Sequence, residues 1–137
     1  MRDMHNNIKV VHAITPQAVG TTGAANGKLS AVIDRRGYGE VEFVFSSGAS
    51  ASTADTITPI VYESDTATSA GFAAVADADL LGLEADQKLT LTAAGSSKIG
   101  YRGTKRYVGI RLYGLGTATA IVSAVAVLGK PDRAPVA

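Results

Sequence analysis

The chain has 137 residues, no cysteine, no tryptophan and a formal net charge of +1. That length fits one domain able to bury roughly two-thirds of its unfolded surface without staples. The lack of cysteine excludes disulfides, thiolate metal sites and cysteine nucleophiles together. Hydrophobic residues make up 46% of the chain but aromatics only 6%, so Ala, Val, Ile, Leu, Thr, Ser and Gly carry the pattern of an all-β domain with small side chains. The opening Met-Arg-Asp-Met-His-Asn-Asn lacks the apolar stretch of a secretory signal. The longest apolar run, Thr117 to Gly129, is about 13 residues and too short for a transmembrane helix, which predicts a soluble chain.

Taken in order, period-2 segments dominate. Residues 1–7 read as a flexible N-terminus, residues 8–129 as the domain and residues 130–137 as an extended tail. Ile8 to Ile14 is predicted as a first strand stopped by Thr15-Pro16, and the Gly-, Ala- and Thr-rich stretch Gln17 to Lys28 as a loop. Leu29 to Asp34 reads as a second strand, closed by the turn Arg35-Arg36-Gly37-Tyr38-Gly39. In Glu40 to Phe45, Val41, Phe43 and Phe45 share one face, the surest core of the N-terminal half. Ser46 to Thr56 is low in complexity and predicted as an exposed loop.

Ile57 to Glu63 is a strand in which Pro59 argues for an edge or a bulge. Phe72 to Leu83 is the place where a short helix or helical turn competes with an extended chain. Gln87 to Thr92 alternates again and points Leu89 and Leu91 inward.

Lys98 to Gly129 reads as a short strand to Tyr101, a basic turn, and two long strands joined in a hairpin by Gly114-Leu-Gly116. In Tyr107 to Tyr113, Val108, Ile110 and Leu112 point inward, while Tyr107, Arg111 and Tyr113 point outward. The last strand, Ala118 to Leu128, is apolar on both faces. A strand wet on one side alternates with polar residues, so this one is predicted to be covered twice, the second time by another protein. About eight strands with uneven loops give a single-domain β-sandwich, a jelly roll.

Charge is unevenly placed. Asp55, Glu63, Asp65, Asp77, Asp79, Glu84 and Asp86 give the segment 55–86 a charge of −7 with no base. Lys98, Arg102, Lys105, Arg106, Arg111, Lys130 and Arg133 against Asp132 give 98–133 a charge of +6. The two segments either pair within one copy, pair between copies, or stay solvated. With the chain balanced as a whole and no aromatic stacking motif in the basic segment, nucleic acid is not the predicted partner.

Catalytic signals are thin. His12 sits in a strand between Val11 and Ala13, His5 lies near the N-terminus, and no G-x-S-x-G elbow, P-loop or H-E-x-x-H occurs. Asp77-Ala-Asp79-Leu-Leu-Gly82 lacks the third ligand and closing Glu of a calcium loop and reads as a turn or a helix-capping acid pair. Asp34-Arg35-Arg36-Gly37 reads as a charged turn or an interface ion-pair site. No enzyme, cofactor or metal is predicted.

Several stretches together carry a resemblance: Val32-Ile-Asp34-Arg35 with Gly37, Ala73-Ala-Val75-Ala-Asp77-Ala-Asp79-Leu-Leu-Gly82, Lys98-Ile-Gly-Tyr101, Lys105-Arg106-Tyr107-Val108 and Ala124-Val-Ala-Val-Leu-Gly129. Over residues 8 to 135 the chain resembles small structural proteins of tailed-phage and prophage head clusters, and the jelly-roll cement (decoration) proteins among them. The resemblance implies a virion protein made in the bacterial cytoplasm. It would bind the outer face of a capsid lattice, bridge neighbouring major capsid subunits, and associate with itself as a dimer or trimer through many shallow contacts. Arg102, Lys105, Arg106, Tyr107, Arg111, Tyr113, Asp77 and Asp79 are the interface candidates, Tyr and Arg being enriched at interfaces. Two alternatives stand beside it: a head–tail connector or tail-associated module, and a jelly-roll module for carbohydrate or a host surface.

Overall fold

The computed structural model describes residues 3–19, 23–50, 55–115 and 120–136. Their eleven strands are β1 (Ile8–Ala18), β2 (Lys28–Leu29), β3 (Ile33–Asp34), β4 (Tyr38–Ser47), β5 (Thr56–Ser64), β6 (Ala73–Ala74), β7 (Leu80–Leu81), β8 (Leu89–Thr90), β9 (Gly95–Tyr101), β10 (Tyr107–Leu115) and β11 (Ile121–Pro131). One sheet, here sheet A, runs β1-β11-β4-β9-β7; the other, sheet B, runs β2-β10-β5-β6, with β3 on β10 and β8 on β5. Every pairing is antiparallel. From β4 onward the long strands β4, β5, β9, β10 and β11 fall in alternate sheets, the two-sheet arrangement of a jelly roll. Among the described residues, no helix is long and apolar enough to cross a membrane.

Alternation builds the core. Val41, Phe43 and Phe45 from β4 meet Val122, Ala124, Ala126 and Leu128 from β11 on the inner side of sheet A. Ile57 and Val61 from β5 and Val108, Ile110 and Leu112 from β10 oppose them from sheet B. Each of the last five is fully buried, as is Leu91. Each inward face is apolar because the pleat sends every second side chain to the same side.

The closing hairpin predicted from the sequence does not form. β10 lies in sheet B and β11 in sheet A, so these two long strands face each other across the core. Alternation says which side chains share a face but not which strand is the neighbour, and here the long strands seal opposite sides of the core. The predicted turn at Gly114-Leu-Gly116 and the predicted start of the last strand at Ala118 reach into 116–119, outside the described residues.

Other boundaries shift for identifiable reasons. β1 continues through Thr15-Pro16 because it is an edge strand bonded only to β11, with irregularities between His12 and Ile14 and between Ile14 and Gln17. An edge tolerates a proline without N–H, and the first bulge turns both Ala13 and Ile14 inward. The second predicted strand is broken into β2 and β3. In the break, the Ser30 hydroxyl accepts the Ile110 N–H at 3.0 Å, while the Ser30 N–H donates to the Ile110 carbonyl at 2.8 Å.

Pro59 sits as its residue type requires. β5 has a ladder partner on its outer flank only at Thr56–Ile57 and Tyr62–Glu63. Val61, two residues past Pro59, sends its N–H to the Glu84 carboxylate at 2.7 Å, so Pro59 faces the same unladdered flank.

In Phe72 to Leu83 the helical-turn and extended readings both hold, each over part of the stretch. The stretch holds the short strands β6 and β7 with a single 3-10 turn, Asp77–Asp79, between them. It carries the chain from the rim of sheet B to the rim of sheet A. Of Gln87 to Thr92 only β8 is strand, yet Leu91 is fully buried and Leu89 packs on the core. The low-complexity stretch Ser46 to Thr56 also departs from its prediction. Ser46 and Ser47 belong to β4, and Asp55 is buried, accepting the Ser50 hydroxyl at 2.8 Å; residues 51–54 lie outside the described residues.

The two ends of the described chain meet. The Val136 N–H donates to the Asn6 carbonyl at 2.9 Å, and Asp132 N–H donates to the Gly37 carbonyl at 2.9 Å.

Candidate functional site

The outer faces of the two sheets differ in what lies over them. On sheet A, cross-strand register sets Val10 beside Val127, then Glu42, Gly100 and Leu81; the next row holds His12, Val125, Val44 and Lys98. Val10 is 58% exposed, Ile121 59% and Leu81 52%. Toward one end, an open pocket of about 410 Å³ is lined by residues that include Ile8, Glu40, Glu42, Leu81, Arg102 and Val127. Burial pushes the Glu42 carboxyl above its ordinary range, with the Lys98 ammonium partly opposing that shift. Leu81 and Glu42 close over Gly100, where an added Cβ would lie 2.8 Å from Glu42 Oε2 and 2.9 Å from Leu81 Cβ.

On sheet B the chain covers itself. Phe72 folds over Gly109, so closely that a Cβ there would stand 2.7 Å from its ring. The Phe72 ring stacks on Tyr62 at 5.9 Å, and the Arg111 guanidinium lies 5.2 Å over the other aromatic of that pair, Tyr62. Arg111 Nη1 donates to the Ala24 carbonyl at 3.3 Å, and Gly27 fits against Arg111 and Tyr113. Glycine at 27 and 109 permits this close approach, which any side chain would block.

At one end of the sandwich the turns between strands gather the basic residues. Arg106 grips Asp34 with Nε and Nη2 at 2.9 and 2.7 Å and rests 4.8 Å over the Tyr107 ring. That fork holds the Asp34 carboxyl at about 2, well below its usual range. Lys105 pairs with Asp65. Arg102 donates through Nε and Nη2 to the Ala78 carbonyl at 3.0 and 2.9 Å, between Asp77 and Asp79 but bonded to neither carboxylate.

Tyr101 ties the two sheets together beneath this end. It is 1% exposed, donates to Glu63 Oε2 at 2.6 Å and accepts the Lys105 N–H at 3.0 Å. Burial, and then the hydrogen bond to Glu63, push its phenol strongly upward, so it stays a donor at any physiological pH.

The sequence-predicted interface residues therefore occupy distinct places. Tyr107, Arg111 and Tyr113 do lie on one outer face, that of β10. Arg102, Lys105 and Arg106 are engaged within their own chain, and one ion pair, Lys105 with Asp65, joins the acidic to the basic segment. The sequence reading passed over Tyr62, Phe72 and Glu63 as functional neighbours; it marked the apolar outer side of the last strand, which holds Val125 and Val127, but not the Val10 and Val44 that flank them. Val10 and Val44, each on the polar side of an alternating strand, were the available signal. Among the described residues no group of three or more His, Asp or Glu side chains could hold a metal ion.

No protein-family model and no curated protein matches the chain. Solved structures with a similar fold include the CBM22-1–GH10 modules of Clostridium thermocellum endo-1,4-β-D-xylanase 10B complexed with xylohexaose. There the identity is 11% and the TM-score 0.47, over 92% of this chain and 26% of that one. Another is the CBM22-1 xylan-binding domain of Paenibacillus barcinonensis Xyn10C, with 9% identity and a TM-score of 0.45 over 96% of this chain and 87% of that one. The chain spans about a quarter of the xylanase chain. Likeness at this level says nothing of what the present chain binds.

Proposed function

We propose that this chain is an assembly module of a phage-type shell, a cement protein that seats on the outer face of a capsid lattice and bridges neighbouring major capsid subunits. The observation that carries the reading is the open valine face of sheet A. Val10, Val44, Val125 and Val127 stand in adjacent rows with Leu81 and Ile121 at the margins. Exposed apolar surface arranged as a contiguous patch and rimmed by charge is what a protein–protein contact needs. The resemblance of the quoted stretches to phage head proteins points to the same class. A rigid sandwich offering one such face gains its strength from repetition over a lattice rather than from any one contact.

The test is the abundance and place of the protein in purified particles. Cement stoichiometry, one copy or more per few capsid subunits and density on the outer shell, supports the reading. A single ring of copies at a vertex assigns it to a connector or tail component instead.

A second reading, a carbohydrate-binding module, is favoured by the aromatic side chains Tyr62, Phe72, Tyr107 and Tyr113, spread on or over the outer face of sheet B. Aromatic rings present flat apolar faces of the kind a sugar ring covers. Reproducible glycan-array binding lost on Tyr113→Ala supports that reading, and a blank array removes it.

A further inference from the structure

We propose that the pocket between the Arg35–Tyr38 turn and the Thr104–Arg106 loop is a carboxylate-binding pocket that seats an acidic side chain of a protein partner. The pocket is open, about 290 Å³, and lined by Arg35, Arg36, Gly37, Tyr38, Thr104 and Arg106. Three arginines thus line the pocket and no acid does. The adjacent acid, Asp34, is already committed: its Oδ1 accepts Arg106 Nε and the Arg36 N–H at 2.9 and 3.0 Å, and its Oδ2 accepts Arg106 Nη2 at 2.7 Å. Counting Asp34 with the three arginines leaves a charge of +2.

The cations are also held in place, which lowers the entropy cost of using them. Asp34 fixes Arg106. The Arg35 guanidinium lies 5.3 Å over the Tyr101 ring, forms no ion pair, and has its Nη1 enclosed without a hydrogen-bond partner. The turn that presents Arg36 is fixed as well: Tyr38 N–H donates to the Arg35 carbonyl at 3.0 Å, with Gly37 at φ 86° in the third turn position, where a positive φ favours glycine. Arg36 is exposed, so its fork is available, and Thr104 adds a hydroxyl.

A planar carboxylate suits a guanidinium fork. The openness of the pocket argues for the source. A free ion in an open site stays hydrated and screened, whereas a carboxylate borne on a protein surface is held there by neighbouring contacts.

This inference deepens the assembly reading by naming the partner's chemistry, but its test uses the isolated chain, so either can fail alone. The chain is titrated with a hexaglutamate peptide, with inorganic phosphate, and with sodium chloride at matched ionic strength, followed by amide NMR. The expected result is saturable shifts with the peptide, concentrated at Arg35–Tyr38 and Thr104–Arg106, and binding roughly tenfold weaker in Arg36→Ala. Thr104→Val, which removes only a hydroxyl, serves as the second variant if Arg36→Ala perturbs the spectrum elsewhere, and it too is expected to weaken peptide binding. Shifts reproduced by sodium chloride, peptide binding unchanged in both variants, or saturation by phosphate without saturation by the peptide each overturn the proposal.

Discussion

β10 and β11 are the two long strands that close the chain, and both are apolar inward; what differs is the other side. Over β10 the molecule lays its own Phe72, stacked on Tyr62, and the turn that carries Ala24 and Gly27. On the outer side of β11, Val125 and Val127 stand half-buried between Val10 and Val44. A strand with two apolar sides is covered either by its own chain or by another. β10 carries arginine and tyrosine outward and is covered from within, while β11 carries valine outward.

That contrast can be broken from either side. The largest expected effect is at the shared support. Tyr101→Phe strips Glu63 of its donor and the Lys105 N–H of its acceptor, a loss of about 1–3 kcal/mol in unfolding free energy that denaturant titration reads. Gly109→Ala comes next, expected to cost about 1–3 kcal/mol because the new methyl displaces the Phe72 ring. If the ring is what matters, Phe72→Ala and Gly109→Ala are non-additive in a double-mutant cycle; additive costs would mean that β10 does not depend on this cover.

Asp34→Asn removes the fork from Arg106. Both side chains are about two-fifths exposed, so the expected loss near neutral pH is small, roughly 0.2–1 kcal/mol. The pH dependence is the sharper reading. A depressed carboxyl stabilises the fold above its unfolded value and ceases to do so as pH falls through the folded one. The wild-type chain therefore loses this contribution between about 4 and about 2, and Asp34→Asn flattens that limb of an acid titration.

Val127→Thr makes the smallest change in stability, within about 0.5 kcal/mol, since the side chain lies on the outer face of sheet A and is only half-buried. The same substitution is expected to weaken attachment to particles, measured by co-sedimentation. Unchanged attachment would place the docking surface elsewhere than sheet A.

Much of the candidate site was legible only in part. The outward set Tyr107, Arg111 and Tyr113 followed from alternation within one strand, and the structure keeps it. The roles of Arg102, Lys105 and Arg106 did not follow. Their partners Ala78, Asp65 and Asp34 lie 24, 40 and 72 residues away in the chain. Arg35 was legible as part of a charged turn, but its place over Tyr101 depends on two loops meeting at one end of the sandwich.

By itself the sequence determined an all-β chain, with Val41, Phe43, Phe45, Val108, Ile110 and Leu112 turned inward. Those are local consequences of a two-residue period, which any pleated strand must obey. Only the tertiary structure decided that β10 and β11 face each other across the core, that Phe72 shields one, and that the other keeps an open face. Strand partners and covering loops are fixed by contacts between distant segments, where the two-residue period is silent.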